Sequence, residues 1–193
     1  MLSEKLKNYR LILASGSPRR QQFFRDLNLD FEIRLKEVDE VYPKNLKAGE
    51  ITDFLAKLKA DVFELSENEI LVTSDTIVWL KNEAVGKPKN YEEAFVTLQK
   101  LSGNTHEVIT SVCLKSVEKT KVFNVVTKVT FSELTDEMIR FYLDNYKPFD
   151  KAGAYGIQEW IGLVGIEKIE GSYTNVVGLP TKKFYKELLC FIL

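Results

Sequence analysis

Two neighbouring arginines stand where a helix is expected to begin, in the stretch LILASGSPRRQQFF at residues 11–24. Ser17 can cap this helix, and Pro18 suits its first position. Arg19 and Arg20 therefore fall in the first turn, where unpaired backbone N–H groups and the helix dipole favour an anion over a cation. The pair either awaits an anion or is exposed and tolerated, at a cost of at most ~1 kcal/mol for each residue.

A second unusual residue is Asp75, which interrupts the strand-like stretch EILVTSDTIVWL at residues 69–80. Apolar, β-branched runs flank it on both sides. If the strand is central, the carboxylate lies near buried surface, where an unpaired charge costs several kcal/mol, so it needs a cation, a metal or a functional reason. The alternative is a bulge or strand end that lets Asp75 reach solvent.

Other polar residues carry weaker signals. Glu40, beside Asp39, forms an acidic pair that suits either a solvated surface or a hard metal ion. Lys59 and Lys87 are each unremarkable alone, and Gln158 follows a glycine-rich loop, where it can hydrogen-bond a ligand or cap local backbone. Taken with the arginines and Asp75, these residues supply cations for a polyphosphate, acids for a divalent metal and a base, which suits metal-assisted cleavage of a nucleoside triphosphate.

Composition excludes several other classes. The 193 residues are 45% hydrophobic with a net charge of -1, which is typical of a folded protein without an extended nucleic-acid-binding surface. Cys113 and Cys190 are far apart and read as buried small side chains, and the single histidine, His106, reads as a loop or strand-start residue, so neither a disulfide framework nor a zinc site is expected. No membrane helix or signal peptide is recognisable, which predicts a soluble protein of the reducing cytoplasm.

The elements that must position these residues alternate along the chain, without a repeat or a linker. The patterns predict helices after Ser17 and over residues 52–63, 90–103, 135–146 and 181–192, with Thr52, Asn90 and Thr135 as caps of the middle three. They predict strands at 11–14, at both ends of 69–80, at 106–116 and 121–131 as an antiparallel pair, at 160–171 and at 175–177, with a turn at 80–88 and a loop at 147–158. This alternation indicates an α/β fold with a mixed sheet and flanking helices, in a single domain spanning residues 1–193.

Seven strings occur here in the order in which they appear in the Maf family of nucleoside triphosphate pyrophosphatases: LILASGSPRRQQFF, EVDE, LAKLKA, SDTIV, GKP, DKAGAYGIQ and GSYTNVVGLP. The chain resembles that family from about Leu11 to the last helix. The resemblance implies two lobes around a cleft, as in the inosine triphosphate pyrophosphatases, with a lobe boundary that the sequence does not mark. It also implies hydrolysis of the α–β phosphate bond with a divalent metal, Mg²⁺ or Mn²⁺.

The resemblance assigns roles to individual residues. Asp75 matches the proton acceptor, which activates water or holds the metal, and Glu40 matches a metal ligand. The residues that match the phosphate-side groups are Ser15, Arg19, Arg20, Lys59 and Lys87.

Substrate choice is also implied by the motifs. Arg19, Thr76 and Gln158 agree with the dTTP and UTP branch of the family, which predicts house-cleaning of the nucleotide pool, with Gln158 on the base edge. The alternatives are the same chemistry on 7-methyl-GTP or another modified nucleotide, and a nucleotide-binding regulator of septum formation and cell division. The expected partner is the triphosphate, without nucleic acid or membrane, and a homodimer is compatible with these expectations. The chain departs from the family at Ser74, where others have alanine, and at Trp160, which either packs or stacks on a base.

Overall fold

One mixed β-sheet forms the framework of the computed structural model, which describes residues 2–192. The seven strands within that range are ordered β2-β1-β3-β5-β6-β7, with β4 paired to β3. β1 runs parallel to β2 and β3, whereas β4 and β7 run antiparallel to β3 and β6. The strands are β1 Arg10–Leu13, β2 Glu32–Ile33, β3 Glu69–Leu80, β4 Glu83–Val85, β5 Thr105–Lys115, β6 Thr120–Phe131 and β7 Ile166–Glu170. The predicted mixed α/β architecture is confirmed.

Helices flank the sheet, and three of them begin as their caps predict. The side chains of Ser17, Asn90 and Thr135 each accept a hydrogen bond from the backbone N–H three residues on, at 3.5, 2.9 and 3.2 Å. The helices are α1 Leu2–Lys5, α2 Pro18–Asp26, α3 Gly49–Asp61, α4 Tyr91–Leu101, α5 Asp136–Tyr146, α6 Trp160–Val164, α7 Tyr173–Val177 and α8 Thr181–Phe191. Within residues 2–192, every helix falls short of the length and apolar character of a membrane span.

Two predicted boundaries in the first half of the chain are wrong. The third helix begins at Gly49, so Thr52 does not cap it; Thr52 is buried inside the helix, where its hydroxyl donates to the Gly49 carbonyl. The strand over residues 69–80 is continuous through its polar middle, and the turn expected after it contains the short strand β4. Partners from α3 satisfy two of the polar residues that appeared to break the strand: the Ala56 carbonyl accepts from the Thr73 hydroxyl, and the Lys59 ammonium binds Asp75.

The segment after the glycine-rich loop is also different from the prediction. Residues 160–164 form a helix, and only Ile166–Glu170 form a strand. The valine-rich residues 175–177 lie in α7, because the Ser172 hydroxyl accepts the backbone N–H of Asn175 at the start of this helix. Local capping therefore overrides the β-propensity of valine here.

The cysteines and the histidine differ in burial. Cys113 is buried in β5 as predicted, whereas Cys190 is exposed, because α8 turns Phe184, Leu188 and Phe191 inward instead. His106 lies near the start of β5 and is 1% exposed.

The chain divides into two compact units whose boundaries fall inside β3, β5 and β6 and at the end of α7. The first unit takes in the chain as far as Asp75, then Thr110–Val125, then the chain from Gly178 onward. The second takes in Thr76–Ile109 and Val126–Val177. The single-domain assignment made from the sequence stays a prediction.

Candidate active site

In the first unit, Lys59 joins the two predicted acidic residues. Its Nζ lies 2.6 Å from Asp75 Oδ1 and 3.0 Å from Glu40 Oε1. Side chains two apart in a strand share a face, and the Thr73 hydroxyl, two residues before Asp75, donates to the Ala56 carbonyl of α3 at 2.6 Å. This face of β3 therefore packs on α3, and α3 supplies the cation that the buried carboxylate requires.

The burial of Asp75 decides between the two alternatives left open by its sequence. Asp75 is 6% exposed and lies within an uninterrupted strand, so the alternative in which the strand ends and the carboxylate reaches solvent is wrong. A carboxylate buried to this degree is stable when a charged partner compensates it, and the Lys59 ammonium does so.

Arg20 is held in the first turn of α2 by two acceptors. Its Nε donates to the Gly178 carbonyl at 2.8 Å, and its Nη1 donates to Ser15 Oγ at 3.3 Å. Burial lowers the pKa of the Arg20 guanidinium, and the charges of Asp75 and Glu40 act in the opposite direction. Arg20 therefore lies in the electrostatic field of the same two carboxylates that bind Lys59.

Arg19 adds a third candidate cation to Arg20 and Lys59 in the first unit. It is half-buried, and its like charge lowers the pKa of Arg20. Arg19, Arg20 and Lys59 carry three positive charges against two negative charges on Glu40 and Asp75, and the N-terminus of α2 adds its dipole. This arrangement has a surplus of positive charge that suits an anion.

In the second unit, the structure brings two predicted loops together. The Gly153 N–H of the glycine-rich loop donates to the carbonyl of Gly86 at 3.1 Å, next to Lys87. Lys87 and Gln158 are both exposed. Thr76 directly follows Asp75 in β3, and the alternation of the strand turns its side chain to the opposite face.

The predicted metal ligands converge on one point. Oxygens of Asp75 and Glu40 lie within 3.0 Å of a single cationic nitrogen, and hard carboxylate oxygens are the donors that Mg²⁺ and Mn²⁺ prefer. Across residues 2–192, no group of three or more potential protein ligands is present. Since Mg²⁺ commonly takes one or two carboxylates and completes its shell with water and phosphate oxygens, this pair fits such an ion.

In each unit, a residue that contacts the candidate residues or their loop was not predicted from the sequence. The carbonyl of Gly178, an acceptor for Arg20, gives no sequence signal. Tyr142 was predicted only as part of an apolar helix face, yet its buried hydroxyl binds Gly156 and Glu159 in the glycine-rich loop and its exit. A buried tyrosine needs a hydrogen-bond partner, which is the signal that could have indicated this role.

Two aromatic residues of the second unit have structural partners. His106 Nε2 lies 2.7 Å from the Tyr155 hydroxyl, and burial lowers the pKa of His106 to about 4. Trp160 packs on Phe141 with ring centroids 4.8 Å apart, which favours packing for the tryptophan.

The chain is similar to known proteins over nearly its whole length. The family profile described as Maf-like protein matches residues 10–191. A dTTP/UTP pyrophosphatase of Flavobacterium psychrophilum is 66% identical over 98% of both chains, and one of Flavobacterium johnsoniae is 64% identical over 100% of both. A HAM1 protein from Coxiella burnetii, 12% identical, superposes with a TM-score of 0.54 over 94% of this chain and 98% of its own, which shows a shared fold. The resemblance drawn from the motifs is confirmed, and the chain belongs to the Maf-like family.

Proposed function

We propose that this protein is a pyrophosphatase that hydrolyses dTTP and UTP between the α and β phosphates, releasing the monophosphate and pyrophosphate. The observation that carries the proposal is Asp75, a carboxylate buried inside β3 and held at 2.6 Å by Lys59. Relatives that are 66% and 64% identical over nearly their whole length carry the name dTTP/UTP pyrophosphatase, which supports dTTP and UTP as the substrates.

Asp75 would act as the proton acceptor for the attacking water. Its oxygen is fixed by the Lys59 ammonium, so the carboxylate is oriented before substrate arrives. Glu40 shares the same ammonium and is more exposed, with 46% of its side chain accessible, so it is the carboxylate better placed to exchange partners.

The cations of the first unit would bind the phosphates. Arg20 is already oriented by Gly178 and Ser15, and its guanidinium suits phosphate oxygens. Arg19 and Lys59 add positive charge that offsets the negative charge developing on the phosphates during cleavage. The resemblance to the family also assigns phosphate binding to Lys87, an exposed residue of the second unit.

A divalent metal, Mg²⁺ or Mn²⁺, would be held by Asp75 and Glu40 and, when bound, supplies Lewis-acid polarisation of a phosphate oxygen. Lys59 holds the same two carboxylates in the structure, so these two side chains are arranged around one positive charge. The ammonium thereby keeps the two acids close despite their mutual repulsion.

Nucleotide choice would depend on Arg19, Thr76 and Gln158. The exposed amide of Gln158 carries both a donor and an acceptor, as does the base edge of uracil or thymine. The near-neutral composition supports a free nucleotide as substrate rather than a nucleic acid, and the two separate cysteines support a reducing cytoplasmic setting.

The test is turnover of dTTP, UTP, CTP and 7-methyl-GTP by purified protein with Mg²⁺ or Mn²⁺, with identification of both products. Monophosphate and pyrophosphate from dTTP and UTP are expected, whereas orthophosphate would contradict cleavage at the α–β bond. Faster turnover of 7-methyl-GTP than of dTTP and UTP would make 7-methyl-GTP the substrate instead. Nucleotide binding without turnover under either metal would favour a nucleotide-binding regulator.

The Asp75→Asn variant tests the catalytic assignment. We expect kcat to fall by at least about 1,000-fold while nucleotide binding persists, because the amide cannot accept the proton. Asp61→Asn is the matched control, since Asp61 ends the same helix as Lys59 and forms an exposed ion pair with Lys57. An active Asp75→Asn protein would refute the role of Asp75.

A further inference from the structure

Gln158 lies at the third position of a β-turn formed by residues 156–159. The Glu159 N–H donates to the Gly156 carbonyl at 3.0 Å, which closes the turn. Gln158 is exposed, so neither its side-chain burial nor a regular element fixes its position. The orientation of this side chain therefore depends on what holds the turn.

The hydroxyl of Tyr142 binds both ends of the 156–159 turn. It accepts the Gly156 N–H at 3.0 Å and donates to Glu159 Oε2. Tyr142 is buried on α5, and burial together with the bond to Glu159 raises the pKa of its hydroxyl. The phenol therefore keeps its proton, and one rigid side chain fixes the two residues that bracket Ile157 and Gln158.

The carboxylate of Glu159 is the second side-chain group that holds the turn. Lys151 Nζ lies 3.2 Å from Glu159 Oε1, so the loop is also tied at its start. The carboxyl group lies directly over Gly156, where an added Cβ would stand 2.7 Å from Glu159 Cδ. A side chain at Gly156 would therefore displace the Glu159 carboxylate from its bonds to Tyr142 and Lys151.

Helix α6 supports the turn from the other side. A Cβ at Gly162 would stand 1.9 Å from the carbonyl oxygen of Ile157, so only glycine allows the helix to approach the turn this closely. The turn is thus held by two side chains and by one close backbone approach, although Gln158 is exposed.

We propose that Tyr142 and Glu159 are positioning residues for nucleobase selection, which act by fixing the 156–159 turn that presents Gln158. The inference rests on the proposed function, in which Gln158 binds the base edge. Neither residue takes part in cleavage of the phosphate bond, so their loss should weaken discrimination between bases and leave the chemical step intact.

The experiment compares Tyr142→Phe and Glu159→Ala with the wild type and with Tyr146→Phe, a control one turn further along α5 whose ring is partly exposed. kcat and KM are measured on dTTP, UTP and CTP, and amide hydrogen exchange is measured at Gly156. We expect KM for dTTP and UTP to rise about tenfold in both test variants at unchanged kcat, because both variants lose the hydrogen bond between the Tyr142 hydroxyl and the Glu159 carboxylate. Gly156 exchange should become faster, and Tyr146→Phe should behave as wild type.

Three outcomes would overturn the proposal. Faster Gly156 exchange with unchanged preference among the bases would show that the turn does not select the base. Unchanged Gly156 exchange in both variants would show that the side chains do not hold the turn. An equal loss of kcat on all nucleotides would indicate general damage to the fold. Wild-type turnover in the same assay tests the proposed function separately, because its failure leaves the hydrogen-exchange result standing.

Discussion

The two units hold their candidate functional residues by different interactions. In the first unit the residues interact through charge: Lys59 joins Asp75 and Glu40, and the charges of these carboxylates oppose the lowering of the Arg20 pKa that burial causes. In the second unit Lys87 and Gln158 are exposed, and their loops are held by backbone hydrogen bonds, by the Tyr142 hydroxyl and by the ion pair between Lys151 and Glu159.

Because of this difference, the two units should respond differently to substitution of their candidate residues. Where functional side chains are partners of each other, removing one leaves another charge buried and uncompensated. Where buried residues hold a loop, an exposed residue of that loop can be replaced at little cost in stability. The loss of a supporting residue is then the change that destabilises the loop.

The largest effect is expected from Lys59→Met in the first unit. This change leaves Asp75, whose side chain is 9% exposed, without its cation, and should reduce the free energy of unfolding by about 3 kcal/mol. Lys57→Met on the same helix removes an ion pair whose partners are both about half exposed, and should cost about 0.5 kcal/mol or less. Urea denaturation at constant pH measures both.

A double variant isolates the charge from the packing. Lys59→Met combined with Asp75→Asn removes both partners, so it should lose less stability than Lys59→Met alone. Equal losses of stability in the single and double variants would mean that Lys59 stabilises the unit through its aliphatic stem and not through its charge.

The second prediction concerns a neutral buried group in the second unit. Burial lowers the pKa of His106 to about 4, below its usual 6.5, so between these pH values the unfolded chain binds a proton that the folded protein excludes. The contribution of His106 to stability is therefore fully present above pH 6.5 and is lost as the pH falls toward 4, by about 3 kcal/mol. Since the chain has one histidine, His106→Gln should remove this dependence.

The measurement is the difference in unfolding free energy between wild type and His106→Gln at pH 7 and at pH 5. Carboxylate titration is common to both proteins and cancels in the difference. A pH-independent difference would show that the ring is accessible to protons, which conflicts with its burial against Tyr155 and Phe131.

Local chemistry made much of the fold predictable. Ser17, Asn90 and Thr135 each accept the backbone N–H expected of a cap, and the apolar faces that follow them form helices. Capping depends on residues within one turn, so the sequence contains all the information that it needs. The first-turn placement of Arg19 and Arg20 was predictable for the same reason.

Features that depend on distant partners were not predictable in this way. The continuity of β3 through Asp75 requires Lys59, which lies 16 residues away on α3. The support of Gln158 requires Tyr142, from a helix that the sequence showed only as apolar on one face. Periodicity identifies the buried face of such a helix, but it does not show which loop will meet a polar atom on that face.

The smallest expected effect is found within one strand, where two neighbouring hydroxyls differ in their partners. Thr73 Oγ1 donates to the Ala56 carbonyl, whereas Ser74 Oγ is buried and finds no partner among the described residues. Ser74→Ala should therefore stabilise the protein by about 1 kcal/mol, since it removes an unsatisfied polar group, and Thr73→Val should destabilise it by a similar amount. Denaturation of the two variants in parallel gives the sign of each change. A loss of stability in Ser74→Ala would mean that this hydroxyl has a polar partner in the folded protein. That partner would lie on the face of β3 that points away from α3.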